Sequence, residues 1–188
     1  WRVEHGGNGH WYQLLVLDEF TYEPGLFSSP RGAHAATLVN SDESDWVFEH
    51  VASNTSGWTN INGALVGPRI GLGNPCDGAW YWLTGEPFSW SNWAAGEPSS
   101  GCDGVVLYVP EAESGPQSTW AMFESVSPDG FRAIVLEWSA DCNSDGLVDY
   151  GQIASGELAD TDDSGIPDIC EAPVQWVTAA GGNGGGNA

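Results

Sequence analysis

The chain has 188 residues, 41% of them apolar and 11 of them Trp, so it has enough large apolar surface to fold around a core. Its 26 acidic residues against 4 basic ones give a formal net charge of −22, which argues against nucleic acid and anionic membrane as partners and favours cations. The length fits one domain plus a small appendage, and no apolar run is long enough to predict membrane insertion.

The first third of the chain predicts one strand and one helix. Residues 1–9 end in Gly-Gly-Asn-Gly and predict a flexible linker, whereas residues 10–17 are rich in aromatic and aliphatic side chains and predict a strand. Residues 20–32 are interrupted by Pro24 and Pro30, so we expect at most a broken helix there. A better helix is predicted after Ser41, because acidic residues in its first turn favour the positive end of the dipole and residues 47–52 supply an apolar stripe.

The middle of the chain predicts a long loop followed by short strands. Residues 63–100 are rich in Gly, Pro and Trp and lack periodicity, which is typical of a functional loop region in a compact domain. Strands are predicted at residues 105–109, 120–123 and 132–138. The fold class predicted from these elements is α+β, with a mostly antiparallel sheet and a large loop excursion between its middle strands.

Four cysteines predict two disulfides. An even count without any Cys-x-x-Cys pair favours disulfides over zinc and indicates an oxidising, extracellular compartment. Three pairings are possible. We expect Cys76–Cys102 and Cys142–Cys170, because each of these pairs brackets one loop-rich segment, whereas crossed pairs would tie the two proposed domains together.

Short motifs in a fixed order make residues 7–138 resemble a bacterial C-type-lectin-like domain. The motifs are Gly9-His10-Trp11-Tyr12, Gly32-Ala33-His34-Ala35-Ala36-Thr37-Leu38, Arg69-Ile70-Gly71-Leu72, Trp82-Leu83-Thr84-Gly85-Glu86-Pro87, Trp90-Ser91-Asn92-Trp93, Gly96-Glu97-Pro98-Ser99 and the closing strand 134–138. The resemblance implies a C-type-lectin-like fold with a long loop region. The run of Trp residues within that loop is expected to pack the loop onto the sheet, and the alternative is an exposed aromatic platform for sugar.

The same resemblance implies where a sugar-bridging calcium ion would bind. In sugar-binding members the ligands come from a Glu-Pro-Asn triplet and a Trp-Asn-Asp triplet, which here are Glu97-Pro98-Ser99 and Trp120-Ala121-Met122. Ser99 is a weaker ligand than Asn, and Ala121 and Met122 offer no hard oxygen, so we expect no calcium-bridged sugar at this position. The residues of this loop retained as candidate ligand contacts are Trp93, Glu97, Ser99 and Asp103.

Two segments near the C-terminus have the spacing of EF-hand calcium loops, with Gly at position 6 for the sharp turn. The first loop, residues 141–152, offers the side chains of Asp141, Asn143, Asp145, Asp149 and Gln152 and the carbonyl of Leu147. The second, residues 160–171, offers the side chains of Asp160, Asp162, Ser164, Asp168 and Glu171 and the carbonyl of Ile166.

Two such frames starting 19 residues apart (160 − 141) resemble dockerin-type and thrombospondin-type-3 repeats. They predict two Ca²⁺ sites, and the alternative is an acidic disordered linker. Residues 150–159 between the frames predict a short helix distorted at Gly156.

The two ends of the chain share a pattern. Trp1 is followed by Gly-Gly-Asn-Gly at residues 6–9, and Trp176 by the same four residues at 181–184, an offset of 175 (176 − 1). Trp1 and Trp176 are therefore candidate assembly residues. The alternative is coincidence between glycine-rich termini.

These patterns divide the chain into a linker (1–9), a C-type-lectin-like domain (10–139), an EF-hand-like calcium-binding pair (140–172) and a glycine-rich tail (173–188). No catalytic constellation is present, so we expect no enzyme. The predicted function is a secreted, calcium-stabilised structural or adhesive module that joins copies of itself head to tail into an extracellular filament or array. The alternative is a calcium-dependent carbohydrate-binding lectin at the cell surface, with a glycan or a cell-surface protein as partner.

Overall fold

The computed structural model describes residues 1–21, 32–61, 63–74, 79–99, 101, 104–110, 115–124 and 131–171. Its strands are β1 (Trp11–Thr21), β2 (His34–Ala35), β3 (Thr59–Ile61), β4 (Ala64–Val66), β5 (Arg69–Asn74), β6 (Tyr81–Trp82), β7 (Gly104–Tyr108), β8 (Trp120–Glu124) and β9 (Phe131–Trp138). Its helices are α1 (Ser41–Val47) and α2 (Asp149–Ser155), with a π-helical turn at Phe48–Ala52 and 3-10 turns at Val3–His5 and Thr55–Gly57.

The main sheet has the strand order β1-β9-β5-β7-β8. Every pairing along this path is antiparallel except that between β5 and β9. The short strands β2 and β6 pair with β9 and β5, and β3 and β4 form a separate hairpin. The predicted α+β class with a mostly antiparallel sheet is confirmed. The strands predicted from residues 10–17, 105–109, 120–123 and 132–138 are observed as β1, β7, β8 and β9. Residues 63–100, predicted to be a long loop region, instead contain β4, β5 and β6, and β5 lies in the middle of the main sheet, where it pairs with β9 and β7.

Strand β9 lies at the centre of the core because both of its faces are covered. Ile134 and Leu136 belong to one buried cluster and Val135 to another, as the alternation of side chains along a strand requires. Phe131 and Ile134 are 1% and 0% exposed. A strand buried on both faces is almost continuously apolar, which is why β9 is evident in the sequence.

Helix α1 begins where predicted, and Asn40 caps its N-terminus by accepting a hydrogen bond from the backbone nitrogen of Glu43 at 2.9 Å. The chain continues through the π-helical turn, and Val47 and Ala52 are buried as the predicted stripe requires. Glu43, expected only as a first-turn acid, is 2% exposed. The sequence around Glu43 does not indicate this burial.

The tryptophan-rich loop packs against β8, as predicted. The rings of Trp82, Trp90 and Trp93 have their centroids 6.1, 5.3 and 6.1 Å from the ring of Trp120, each nearly perpendicular to it. Trp80 contacts Trp93 at 4.7 Å. Edge-to-face stacking of this kind adds to the free energy gained by burying the rings.

Helix α2 differs from the helix predicted at residues 150–159. It ends at Ser155 because Gly156 adopts a left-handed conformation (φ 77°) and its backbone nitrogen donates to the carbonyls of Gln152 and Ile153. Gly156 therefore terminates the helix instead of distorting it. The proposed broken helix at residues 20–32 falls largely outside the described residues.

Candidate functional site

Residues 141–152 and 160–171 form two loops with the same backbone course. The residue at position 4 has a positive φ in both, 59° at Ser144 and 60° at Asp163. The glycine at position 6 does so as well, with φ 87° at Gly146 and 84° at Gly165. Left-handed conformations are rare for residues other than glycine, so their recurrence at equivalent positions indicates one shared local structure.

The first carboxylate of each loop organises the turn by accepting two backbone hydrogen bonds. Asp141 accepts from the nitrogens of Asp145 at 3.1 Å and Gly146 at 2.9 Å. Asp160 accepts from the nitrogens of Ser164 at 3.0 Å and Gly165 at 2.9 Å. Position 1 therefore plays the same part in both loops.

The carboxylate at position 9 closes each loop onto position 2. Asp149 accepts from the backbone nitrogen of Cys142 at 3.1 Å. Asp168 accepts from the backbone nitrogen of Thr161 at 2.8 Å and from its hydroxyl at 2.6 Å. The carboxylates at positions 1 and 9 are thus held in place by backbone nitrogens of their own loop.

The predicted ligand at position 12 contacts position 5 in both loops. The side-chain nitrogen of Gln152 donates to Asp145 at 2.8 Å, and the hydroxyl of Ser164 donates to Glu171 at 3.1 Å. Among the residues that the structure describes, none donates a hydrogen bond to the buried side-chain oxygen of Gln152. A buried acceptor without a donor is costly, and a bound cation would satisfy it.

The carboxylates of the first loop differ in their electrostatics. Burial, together with the nearby charges of Asp141 and Asp145, raises the pKa of Asp149, which is 2% exposed. Hydrogen bonds from the Gln152 side chain and the Leu147 backbone lower the pKa of Asp145. In the second loop, the hydrogen bonds from Thr161 lower the pKa of Asp168. A cation at the mouth of the first loop would relieve the repulsion around Asp149.

The position-7 residues expose their side chains, with Leu147 52% and Ile166 46% exposed. The predicted disulfide Cys142–Cys170 is present, with Cα atoms 5.9 Å apart. It joins position 2 of the first loop to position 11 of the second. Cys76, Cys102, Asp103 and Trp176 lie outside the described residues.

Helix α2 fastens the first loop to the sheet. Tyr150 stacks on Trp138 at 4.2 Å and meets the edge of Trp11 at 5.9 Å. A Cβ atom at Gly151 would lie 2.6 Å from the indole nitrogen of Trp11, so the helix backbone approaches that ring closely. The loops therefore extend from the end of the sheet formed by β1 and β9.

In the described residues around Glu97, no comparable set of oxygen ligands is present. One carboxylate oxygen of Glu97 accepts from the backbone nitrogens of Ser99 at 2.8 Å and Met122 at 3.1 Å. Ala121 and Met122, where the resemblance expects oxygen ligands, are buried at 7% and 5% exposure. The residues present do not fit a sugar-bridging calcium ion. Trp93 is half-buried in the tryptophan cluster.

A second polar cluster was not predicted. His10, Glu43 and Glu137 place their side-chain donor and acceptor atoms within 4.8 Å of one another, and Glu137 is 1% exposed. Nδ1 of His10 lies 2.5 Å from Glu137, while Glu43 accepts from the Tyr12 hydroxyl and Asn8, each at 2.6 Å. His10, Glu43 and Glu137 are far apart in sequence, and they come together only because β1 pairs with β9 and α1 packs against the start of β1.

A groove of about 970 Å³ lies between the N-terminal segment, β1, α1 and the first loop. Trp1, Trp11, Trp46 and Leu147 contribute to its largely apolar lining. In the described part of the chain, no helix is both long and apolar enough to cross a bilayer.

Comparison with known proteins identifies the fold. No family model matches the chain. Human lithostathine matches with a TM-score of 0.53 and 20% identity, over 71% of this chain and 86% of that one. The C-type lectin domain of murine dendritic cell inhibitory receptor 2, solved in complex with N-glycan, matches with a TM-score of 0.54 and 19% identity, over 70% of this chain and 92% of that one. The chain has the C-type lectin-like fold that its motifs predict.

Proposed function

We propose that this protein is a secreted, non-enzymatic binding module in which a C-type lectin-like domain is followed by two calcium-binding loops of the EF-hand type. The observation that carries the proposal is the repeated geometry of residues 141–152 and 160–171. Both loops hold the position-1 carboxylate with the backbone nitrogens of positions 5 and 6, and both have glycine in a left-handed conformation at position 6.

The donor set suits a hard cation. Ca²⁺ takes roughly six to eight oxygen ligands, and each loop offers carboxylates at positions 1 and 9 with further oxygens at 3, 5, 7 and 12. The buried, unpartnered oxygen of Gln152 at position 12 supports this assignment for the first loop. The second loop has Glu171 at position 12, which offers two oxygens, so we expect this loop to bind calcium more tightly than the first loop does.

Bound calcium would stabilise the folded state of the segment that contains the two loops. A segment of this size has little core of its own, so metal binding and the Cys142–Cys170 disulfide would hold it together. A closed disulfide is also the observation that favours an oxidising, extracellular location. Calorimetric titration of the intact protein with CaCl₂ tests the proposal, and two bound ions are expected.

Carbohydrate binding is the second candidate function. The observation that favours it is the shared fold with the receptor domain that was solved in complex with N-glycan. The residues around Glu97 are unsuited to bridging a sugar through calcium, because positions 121 and 122 lack oxygen-bearing side chains. A glycan would therefore bind by direct contacts, without a metal ion at Glu97.

A glycan array probed with and without chelator tests this prediction. We expect no binding that is both sensitive to chelator and abolished by Glu97→Ala, with the exposed Glu49→Ala as the matched control. Because a chelator also removes calcium from the C-terminal loops, the two conditions must hold together. Chelator-sensitive binding of a monosaccharide that Glu97→Ala abolishes and Glu49→Ala spares would contradict it.

We further propose that copies of this module associate head to tail. The supporting observation is the recurrence of Trp and Gly-Gly-Asn-Gly at residues 1–9 and 176–184. A contact between two different surfaces propagates into a filament unless the rotation closes a ring. Light scattering of the intact chain, measured once in calcium and once in chelator, tests whether copies associate.

A further inference from the structure

Residues 1–9 fold back on themselves into a closed turn, called here the Trp1 turn. The backbone nitrogen of Gly9 donates to the carbonyl of Trp1 at 2.9 Å, and that of Gly7 donates to the carbonyl of Arg2 at 3.0 Å. The amino group of Trp1 also donates to the carbonyl of His10 at 2.6 Å. The expected flexible linker is thus an ordered element, since these bonds fix its ends against each other.

Glycine is required at three positions of the Trp1 turn. Gly6 and Gly9 have φ values of 81° and 85°. A Cβ atom at Gly7 would overlap the carbonyl oxygen of Trp1 and lie 2.5 Å from Cγ of its ring. The first two positions need glycine for backbone conformation and the third for space.

The turn docks on a surface, called here the Trp46 cleft, formed by Tyr12, Glu43 and Trp46. The Trp1 ring stacks on Trp46 at 5.8 Å and 14°. The Asn8 side chain donates to Glu43 at 2.6 Å and to the Tyr12 hydroxyl at 2.7 Å. Trp1 and Asn8 therefore supply the turn's side-chain contacts with this cleft.

The tail of the chain repeats the residues that this geometry requires. With an offset of 175 (176 − 1), Trp1, Gly6, Gly7, Asn8 and Gly9 correspond to Trp176, Gly181, Gly182, Asn183 and Gly184. The residues between them are not repeated, and of these Arg2, Val3 and His5 are exposed in the Trp1 turn. The repeat thus keeps the positions that shape and dock the turn and changes positions that face solvent.

We propose that residues 176–184 dock in the Trp46 cleft of another copy of this chain and replace that copy's own Trp1 turn. This inference rests on the proposed head-to-tail association and identifies the surface that would carry it. In an intact copy the Trp1 turn competes from within the same chain, at an effective concentration on the order of millimolar. Weakening the Trp1 turn should therefore open the cleft to a tail from another copy.

The test uses Gly7→Ala in the full chain and a fluorescent peptide of residues 172–188. The added Cβ overlaps Trp1 and displaces the turn. Fluorescence anisotropy should show half-saturation of the variant at a peptide concentration at least about tenfold below that for the wild-type chain. The matched control peptide carries Gly182→Ala and should lose this binding.

Sedimentation velocity gives the second readout. The Gly7→Ala chain should associate with increasing concentration, and adding Gly182→Ala should return it to a monomer. If Gly7→Ala no longer unfolds cooperatively, Asn8→Ala replaces it. This variant removes the side-chain hydrogen bonds between the turn and the Trp46 cleft and introduces no atom that overlaps Trp1.

Equal peptide binding by wild-type and variant chains would overturn the inference. So would a variant that stays monomeric and does not bind the peptide, since the cleft would then have bound no tail from another copy. Assembly of the unsubstituted chain in calcium is measured separately, so the proposed head-to-tail association can stand even if this particular surface is excluded.

Discussion

At the scale of single residues, the cluster of His10, Glu43 and Glu137 has the clearest consequence. Burial lowers the pKa of His10, but the hydrogen bond and charge of Glu137 outweigh it and raise the pKa above its ordinary value. Burial raises the pKa of Glu43. Protonation of either group therefore stabilises the folded protein relative to the unfolded chain.

The protonation of His10 should be visible in the pH dependence of the free energy of unfolding. Its contribution is full below its unfolded pKa of about 6.5 and is lost as the pH rises through the higher folded value. Urea unfolding between pH 5.5 and 8.5 should show stability falling with pH over this range. His10→Gln should flatten this fall and cost about 2 kcal/mol at pH 6, because it removes a hydrogen bond to a buried carboxylate.

The exposed His5 provides the matched control, and His5→Gln should leave the pH profile unchanged. Calcium must be held constant throughout, because the carboxylates of the loops also titrate. A His10→Gln profile that runs parallel to the wild-type profile would contradict the assignment.

The two loops at residues 141–152 and 160–171 and the buried cluster differ in how far the sequence could predict their geometry. The loop residues from Asp141 to Gln152 are local in sequence, so spacing alone brings the positions together. Residues 10, 43 and 137 meet only after β1 has paired with β9 and α1 has packed against them. Spacing along the chain contains no record of that pairing, so the sequence predicts Glu43 only as an acidic residue in the first turn of a helix.

At the scale of elements, strand β5 contains a sequence motif that serves packing and offers no ligand. Its Arg69-Ile70-Gly71-Leu72 segment is buried throughout. The backbone nitrogen of Gly71 donates to the carbonyl of Ala36 at 2.8 Å, and a Cβ at Gly71 would lie 2.5 Å from the carbonyl oxygen of Ala35. The neighbouring backbone leaves no room for a side chain at this position.

Gly71→Ala should therefore lower the free energy of unfolding by about 3 kcal/mol, the upper end of the usual cost of overpacking. The matched control is Gly63→Ala, where a Cβ meets open space and only the positive φ of 89° is unfavourable, at a cost of about 1 kcal/mol. Chemical denaturation measures both. Equal losses in the two variants would show that the backbone around Gly71 yields, contrary to the packing described.

Four strands and the start of α1 were predictable, since those strands follow from apolar runs and α1 from its acidic first turn, whereas β5 lies in the segment 63–100 that was predicted to be a loop. The end of α2 and the structure of residues 1–9 were harder to predict. Gly156 stops α2 through its φ of 77°, which a glycine in a helical pattern does not reveal by itself. The Trp1 turn was predicted to be a flexible linker, because a glycine-rich sequence does not by itself reveal the backbone hydrogen bonds that close the turn or its contacts with Trp46 and Glu43.

At the scale of the whole molecule, the net negative charge and the proposed calcium binding are connected. A net charge of −22 opposes close association of bare chains, and bound calcium would reduce it. Each ion that binds only the folded state stabilises it by about 2.7 kcal/mol when calcium is a hundredfold above the dissociation constant. Because Tyr150 stacks on Trp138, this stabilisation would reach the sheet as well as the loops.

The most direct test of the account is the number of calcium ions bound by the intact protein, counted by calorimetric titration after chelator treatment. We expect two ions for the wild-type chain, one for Asp141→Ala, one for Asp160→Ala and none for the double variant, with two retained in the control Glu49→Ala. The ion left in Asp141→Ala should be the tighter one, because Glu171 serves the second loop. No heat of binding in the wild-type chain, or an unchanged count in the double variant, would contradict the account.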